Sequence, residues 1–150
     1  MKQIKLAFIL LTASVLSFNS CKKSSNPVPA QNISMTFNGT AYSSATPAAV
    51  YSKSGNSMAI AGQFSSVSSV ALVIDTVKVG TYNIGPTSVS GILFDVNNTS
   101  DTYYDTSGTI VVTAYTSTSI TGTFQFSVTN GTNNATITSG KFNSNYTTTN

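Results

Sequence analysis

The stretch Ile120–Thr138, "ITGTFQFSVTNGTNNATIT", decides how this chain folds. Two runs alternate apolar with hydroxylated residues on either side of Asn130-Gly131. Asn-Gly favours a two-residue type I′ turn, because both residues tolerate positive φ. With that turn, Phe126 falls opposite Ala135 and Phe124 opposite Ile137. One face then carries Ile120, Phe124, Phe126, Val128, Ala135 and Ile137. The other carries Thr121, Thr123, Gln125, Ser127, Thr136 and Thr138. A slip of one residue would exchange the two faces, and the turn chemistry and the alternation agree on the same faces. The spacing predicts a β-hairpin with one face in a core.

The same signals recur outward from that hairpin. In "ISMTFNGTAYSS" the Asn38-Gly39 pair places Met35 opposite Tyr42. Gly55-Asn56 joins "AAVYSKS" to "SMAIAGQF" in a third hairpin. Further strands are expected at 67–76, 80–84, 92–96 and 109–115. Ile110, Val112 and Ala114 are expected to face inward. Matching that face to Ile120 needs a five-residue loop, Tyr115–Ser119. A four-residue loop would turn Val111 and Tyr115 inward instead. Gly85-Pro86 and "VNNTSDTYYDTSG" (96–108) read as loops or short loop-flanked strands. No 3.6-residue apolar stripe of helix length follows Ile33. The fold expected is all-β, an antiparallel β-sandwich of about 8–10 strands, with a small closed β-barrel as the alternative.

At 150 residues the chain holds a single domain. Charged residues make up 7 %, against about a quarter in an average soluble protein. His, Arg, Glu and Trp are absent, and Ser, Thr and Asn supply the polar surface. The formal charge of +3 includes Lys2 and Lys5, which lie in a segment expected to be removed. What remains is close to neutral, so no nucleic-acid partner is expected, since that requires clustered Lys and Arg.

The chemistry available is narrow. Without His, acid–base work would fall on Asp95, Asp101 and Asp105, and an Asp-dependent hydrolase is one reading. Asp and Asn are also good turn formers, and the expectation is no catalytic residue, no enzyme activity and no cofactor. Asp95, Asn97, Thr99 and Asp101 place oxygen atoms at a spacing of two. An EF-hand loop would need Gly at its sixth position and Glu at its twelfth, where Ser100 and Thr106 stand. With Asp105, these residues form a candidate ion-binding or contact loop. No firm metal site is expected. Tyr103-Tyr104 and the other tyrosines offer a stacking surface for a glycan, or else are ordinary strand residues.

The first thirty residues say where the protein lives. Lys2 and Lys5 precede the apolar run "LAFILLTASVLSF" (6–18), too short to span a bilayer comfortably and laid out like a secretory signal. Ser20 directly precedes Cys21, the only cysteine. This resembles the lipobox of bacterial lipoproteins, although Phe18 and Asn19 depart from its usual Leu and small residue. The resemblance implies cleavage before Cys21 and a diacylglyceryl group on its sulfur. Each buried methylene contributes about 0.8 kcal/mol, and two or three chains hold where one is marginal. The tether "KKSSNPVPAQ" follows, extended by Pro27 and Pro29.

The division expected is therefore a signal peptide at 1–20, lipidated Cys21 and a flexible tether at 21–31, a β domain at 32–143 and a frayed tail at 144–150. "MTFNGTAYSSA", "GTYNIG" and "ITGTFQFSVTN…ATITSGKF" resemble an uncharacterised β-rich lipoprotein family of Bacteroidetes-type bacteria. Gly80, Gly122 and Gly140 match its recurrent glycines, with a backbone role implied. The resemblance implies a lipoprotein of the cell envelope, held to the outer membrane through Cys21. The functional expectation is a non-enzymatic binding or structural module with an unknown protein or glycan partner. A carrier of a small apolar ligand inside a barrel is the alternative.

Overall fold

The computed structural model describes residues 30–96 and 101–150. The signal segment, Cys21 and the tether up to residue 29 lie outside the described residues, as do Asn97 and Thr99. Ten strands follow one another: β1 (Asn32–Phe37), β2 (Thr40–Ser44), β3 (Ala48–Ser52), β4 (Ser57–Ser65), β5 (Ser68–Ile74), β6 (Gly80–Ile84), β7 (Gly91–Val96), β8 (Asp101–Tyr115), β9 (Ser119–Thr129) and β10 (Asn134–Thr149). No helix occurs among the described residues. The all-β expectation holds, with the strand count at its upper limit.

All ten strands belong to one sheet, ordered β2-β1-β10-β3-β4-β5-β7-β8-β6, with β9 bridging β10 and β8. Pairings followed from β10 through β3, β4, β5, β7, β8 and β9 return to β10, while β2–β1 and β6 branch off this circuit. Because these branches leave the circuit, the fold is sandwich-like and not a clean barrel. Two long strands make the corners. β10 pairs with β1 through residues 137–143 and then with β3 through 146–149. β8 pairs with β7 through 101–104 and then with β6 through 108–112. Bulges let such strands bend from one layer to the next, and β8 has register shifts at Asp105/Ser107 and at Val112/Ala114. One pairing departs from the antiparallel expectation: β10 runs parallel to β3.

The core lies between the folded layers. Phe37 of β1 meets Phe94 of β7 with ring centroids 4.9 Å apart, and Tyr42 of β2 meets Phe64 of β4 at 5.4 Å. Ile33, Met58, Ile60, Leu72, Ile74, Phe94, Ile110, Ile120, Ile137 and Phe142 are buried among them.

The β9–β10 hairpin has the expected faces and a different register. Ile120, Phe124, Phe126, Val128, Ala135 and Ile137 are all buried. Ala135, however, pairs with Val128, and Ile137 with Phe126. The connection spans Asn130–Asn133, four residues and not two. Asn130 Oδ1 accepts hydrogen bonds from the Thr132 and Asn133 amides, and Asn133 O accepts from the Asn130 amide. This Asx turn closes the loop with only Gly131 at positive φ, 92°. The register moved by two residues, an even number, so no side chain changed face.

The other hairpins divide. Asn38 and Gly39 have φ of 45° and 85°, and Met35 pairs with Tyr42, as the type I′ turn requires. Ser52 pairs with Ser57, so the third turn also uses four residues, Lys53–Asn56. For β8 and β9 both loop lengths occur in one hairpin. Ile110 pairs with Phe124, the register of the five-residue loop, and Tyr115 pairs with Ile120, that of the four-residue loop. Thr113 is the extra residue between them. It leaves Ala114 exposed, contrary to expectation, and turns Tyr115 toward the core.

Two further expectations are corrected. Residues 101–108 are strand, the first half of β8. Residues 144–149, expected to fray, continue β10. Ser144 is fully buried there, and Tyr146–Thr149 pair with β3. The β domain extends past residue 143.

Candidate functional site

The aspartate segment is not one loop. Asp95 stands near the end of β7, whereas Asp101 and Asp105 lie on β8. Asp95 pairs in register with Thr102, whose hydroxyl donates to Asp95 Oδ1. Side chains alternate along a strand. Thr102 and Asp95 therefore share one face, and Asp101, Tyr103 and Asp105 share the other. Asp101 and Asp105 are four residues apart along β8, about 13 Å. Asp101 Oδ1 accepts from Asn130 Nδ2, which ties the β9–β10 loop to β8. Asp105 is buried, and its Oδ1 accepts the Ile92 amide at 3.2 Å. It lies so close over Gly91 that a Cβ there would be 2.4 Å from Oδ1. The structure does not bring the three carboxylates together. Among the described residues no three or more His, Cys, Asp or Glu are grouped to hold a metal ion.

The adjacent tyrosines also part. Tyr103 is buried edge-on against Phe37 at 4.9 Å. Burial, and then the charge of Asp101, pushes its phenol pKa up. Tyr104 is on the outer face and 37 % exposed. They form no shared platform. The tyrosines that do gather are Tyr51, Tyr115 and Tyr146, with ring centroids 5.9–6.2 Å apart. They pack against the core, with Tyr51 Oη donating to Asn56 Oδ1 and Tyr146 Oη to the Thr116 carbonyl. Three strands deliver one ring each, so no short sequence motif announces the cluster.

A concave feature lies elsewhere. A cleft of about 420 Å³ runs along β6, and all five residues of the strand, Gly80–Ile84, line it. Asp75, Thr76 and Lys78 form one wall, and Ser88, Val89 and Ser90 the other. Tyr82 holds the first wall in place. Its hydroxyl accepts the Lys78 amide at 2.7 Å and lies 2.8 Å from the Lys78 carbonyl and 3.2 Å from that of Thr76. Ser88 holds the second, taking the Gly85 amide on its hydroxyl at 2.9 Å. Ser90 Oγ accepts the Asp75 amide and so joins the two walls. Volumes of about 300–1,000 Å³ are typical of small-molecule and cofactor sites. The local signals in the sequence were the short strand "GTYNI", the Gly85-Pro86 stop after it and a tyrosine four residues past Lys78.

A family model described as a domain of unknown function (DUF6252) matches residues 30–145. The chain belongs to that family. The match starts just before β1 and ends inside β10, so the DUF6252 domain is the folded sandwich itself. The cleft along β6 and Asp95, Asp101 and Asp105 all fall within it. The expected resemblance to an uncharacterised β-rich family is met at that level. No curated relative and no solved structure matches the chain.

Proposed function

We propose that this DUF6252 protein is a lipid-anchored envelope module that binds a partner without transforming it, and that its binding site is the β6 cleft. Residues 1–20 would export it, Cys21 would carry the lipid, and residues 22–31 would hold the domain off the membrane by roughly 30 Å. The observation that carries the binding reading is the cleft, built with two pinned walls along a strand at the border of the sheet. Its lining supplies donors and acceptors from Asp75, Lys78, Asn83 and Ser88 around an aliphatic contact at Val89. That mixture offers a partner hydrogen bonds and one apolar contact.

The test has two arms. Native protein from membranes should carry acyl chains on Cys21 by mass spectrometry, and Cys21→Ser should move the protein to the soluble fraction. Separately, the partner recovered by cross-linking on cells should be lost in Ser88→Trp, which fills the cleft, and kept in Asp95→Asn. An unmodified thiol at Cys21 refutes the anchor. A partner that ignores Ser88→Trp refutes the cleft.

A further inference from the structure

The cleft is bordered by a strand with one side unpaired. Among the described residues β6 pairs only with β8, through Gly80↔Val112 to Ile84↔Gly108. In an antiparallel pair, alternate residues direct both backbone groups at the partner, and the others direct both away. The Ser88 hydroxyl donates to the Asn83 carbonyl at 3.5 Å, so that carbonyl faces away from β8 and into the cleft. By alternation Thr81 presents its N–H and C=O to the same side. An open strand edge is a template for further pairing, and folded proteins blunt such edges with Lys, Pro or a bulge. β6 carries neither Lys nor Pro, and its register with β8 is unbroken.

Two exposed valines lie beside this strand, one in the cleft lining and one next to it in the chain. Val79 and Val89 are each 58 % exposed, the most exposed large apolar residues among those described. Val79 immediately precedes β6, and Val89 lines the opposite wall. Tyr82 pins the 76–78 segment, and Ser88 takes the Gly85 amide while its hydroxyl donates to the Asn83 carbonyl, so the Thr81 N–H and C=O and the Asn83 N–H are the edge groups left for a partner. A partly open edge without Lys, Pro or bulge, a cleft along the strand and an aliphatic contact in it are what β-strand addition uses. Main-chain bonds supply affinity and side-chain contacts supply selectivity.

We infer that the outer edge of β6 accepts an extended segment of another polypeptide as an added strand, with small or β-branched apolar side chains that settle against Val79 and Val89. This rests on the cleft being the binding site, and it names the partner class. Thr81, through its N–H and C=O, and Asn83, through its N–H, make the main-chain bonds.

The test uses the full chain in detergent and a phage-displayed library of random nine-residue peptides. The enriched peptides should share Val, Ile or Thr at alternate positions and protect the Thr81 and Asn83 amides from hydrogen exchange. N-methylation of the best peptide along one edge should weaken binding at least tenfold, and along the other edge should not. Asn83→Pro should also cost at least tenfold. Val79→Lys and Val89→Lys, both on exposed side chains, test the same contact without endangering the fold. Binding that tolerates N-methylation on either edge, or that ignores the valine variants, overturns the inference. If no peptide is enriched, strand addition is overturned, while the cleft reading still stands or falls on Ser88→Trp with the cross-linked partner.

Discussion

Phe142 on β10 lies directly across from Gly122 on β9, and its ring occupies the space that a side chain at 122 would need. A Cβ on Gly122 would sit 2.4 Å from Phe142 Cζ and 2.2 Å from the Val111 carbonyl oxygen. The arrangement recurs twice. Phe124 covers Gly140, and Phe126 covers Gly108, each in a directly paired position. Aromatic rings laid over strand glycines restore the packing that glycine lacks. The Phe124 and Phe142 rings stack with centroids 6.4 Å apart. The backbone role expected for Gly122 and Gly140 is thus a steric one, namely room for a facing ring.

Gly122→Ala and Gly140→Ala should each destabilise the domain by about 2 kcal/mol or more, the range of overpacked cores. Urea midpoints should fall with an unchanged slope. Gly85→Ala, with open space around its Cβ position, should stay within about 0.5 kcal/mol. Phe142→Leu should not rescue Gly122→Ala, because the Val111 carbonyl belongs to the backbone and cannot yield. Recovery in the double variant would show that the ring alone was the obstacle.

Asp105 and Asp95 should respond differently to truncation. Asp105→Ala leaves the Ile92 amide without the acceptor that the carboxylate gives it. A buried donor left unpaired costs about 1–3 kcal/mol. Asp105→Asn keeps an acceptor oxygen and should cost less. Asp95→Ala removes a hydrogen bond at a partly exposed position and should cost about 1 kcal/mol or less. Calcium should leave the melting temperature of the parent unchanged. A calcium-dependent rise that disappears in Asp105→Asn would mean that the carboxylate is a ligand.

The faces of this fold were legible in the sequence, and the connections between strands were less so. Alternation alone placed Phe124, Phe126, Val128 and Ile137 in the core, because burial of one face punishes an odd slip and tolerates an even one. The Asn38-Gly39 turn was read correctly since both residues do adopt positive φ. Asn130-Gly131 looked the same, but the Asn130 side chain captured two backbone amides and lengthened the loop. The Thr113 bulge left no mark on the residue pattern, so two loop lengths looked exclusive when both occur. The polar ending "NSNYTTT" suggested fraying because its stability comes from β3, nearly a hundred residues earlier in the chain. The cleft was missed for a related reason. It depends on which strand lies at the sheet border, and that is a property of the topology.

Removing residues 144–150 should unfold or severely weaken the domain. The deletion strips the parallel pairing of Tyr146–Thr149 with β3 and uncovers the site of Ser144. It also opens the tyrosine cluster, since Tyr146 contacts both Tyr51 and Tyr115. Loss of a few kcal/mol would consume much of the 5–15 kcal/mol margin of a typical domain. The readout is the thermal midpoint of the truncated chain against the parent. An unchanged midpoint would mean that the end of β10 contributes nothing to the fold.

Stability should fall at alkaline pH, and buried phenols should account for part of the fall. Burial raises the Tyr115 pKa above its ordinary 10.0, with hydrogen bonding to Tyr146 adding to it. Tyr103 is raised by burial and then by the charge of Asp101, and Tyr51 by burial and then by Tyr115. A phenol whose pKa is higher in the folded state keeps its proton where the unfolded chain has already released it. The native state then binds more protons, and stability decreases as pH rises. The stabilising contribution is complete below pH 10, the unfolded value, and is lost as pH climbs from there through the raised folded values. Urea midpoints measured between about pH 9 and pH 11 should decline. Tyr103→Phe keeps the buried ring against Phe37 and removes the titrating group, so its decline should be shallower. Tyr115→Phe should act in the same direction. If both variants lose stability with pH as steeply as the parent, the phenols of Tyr103 and Tyr115 are not the groups that carry the dependence.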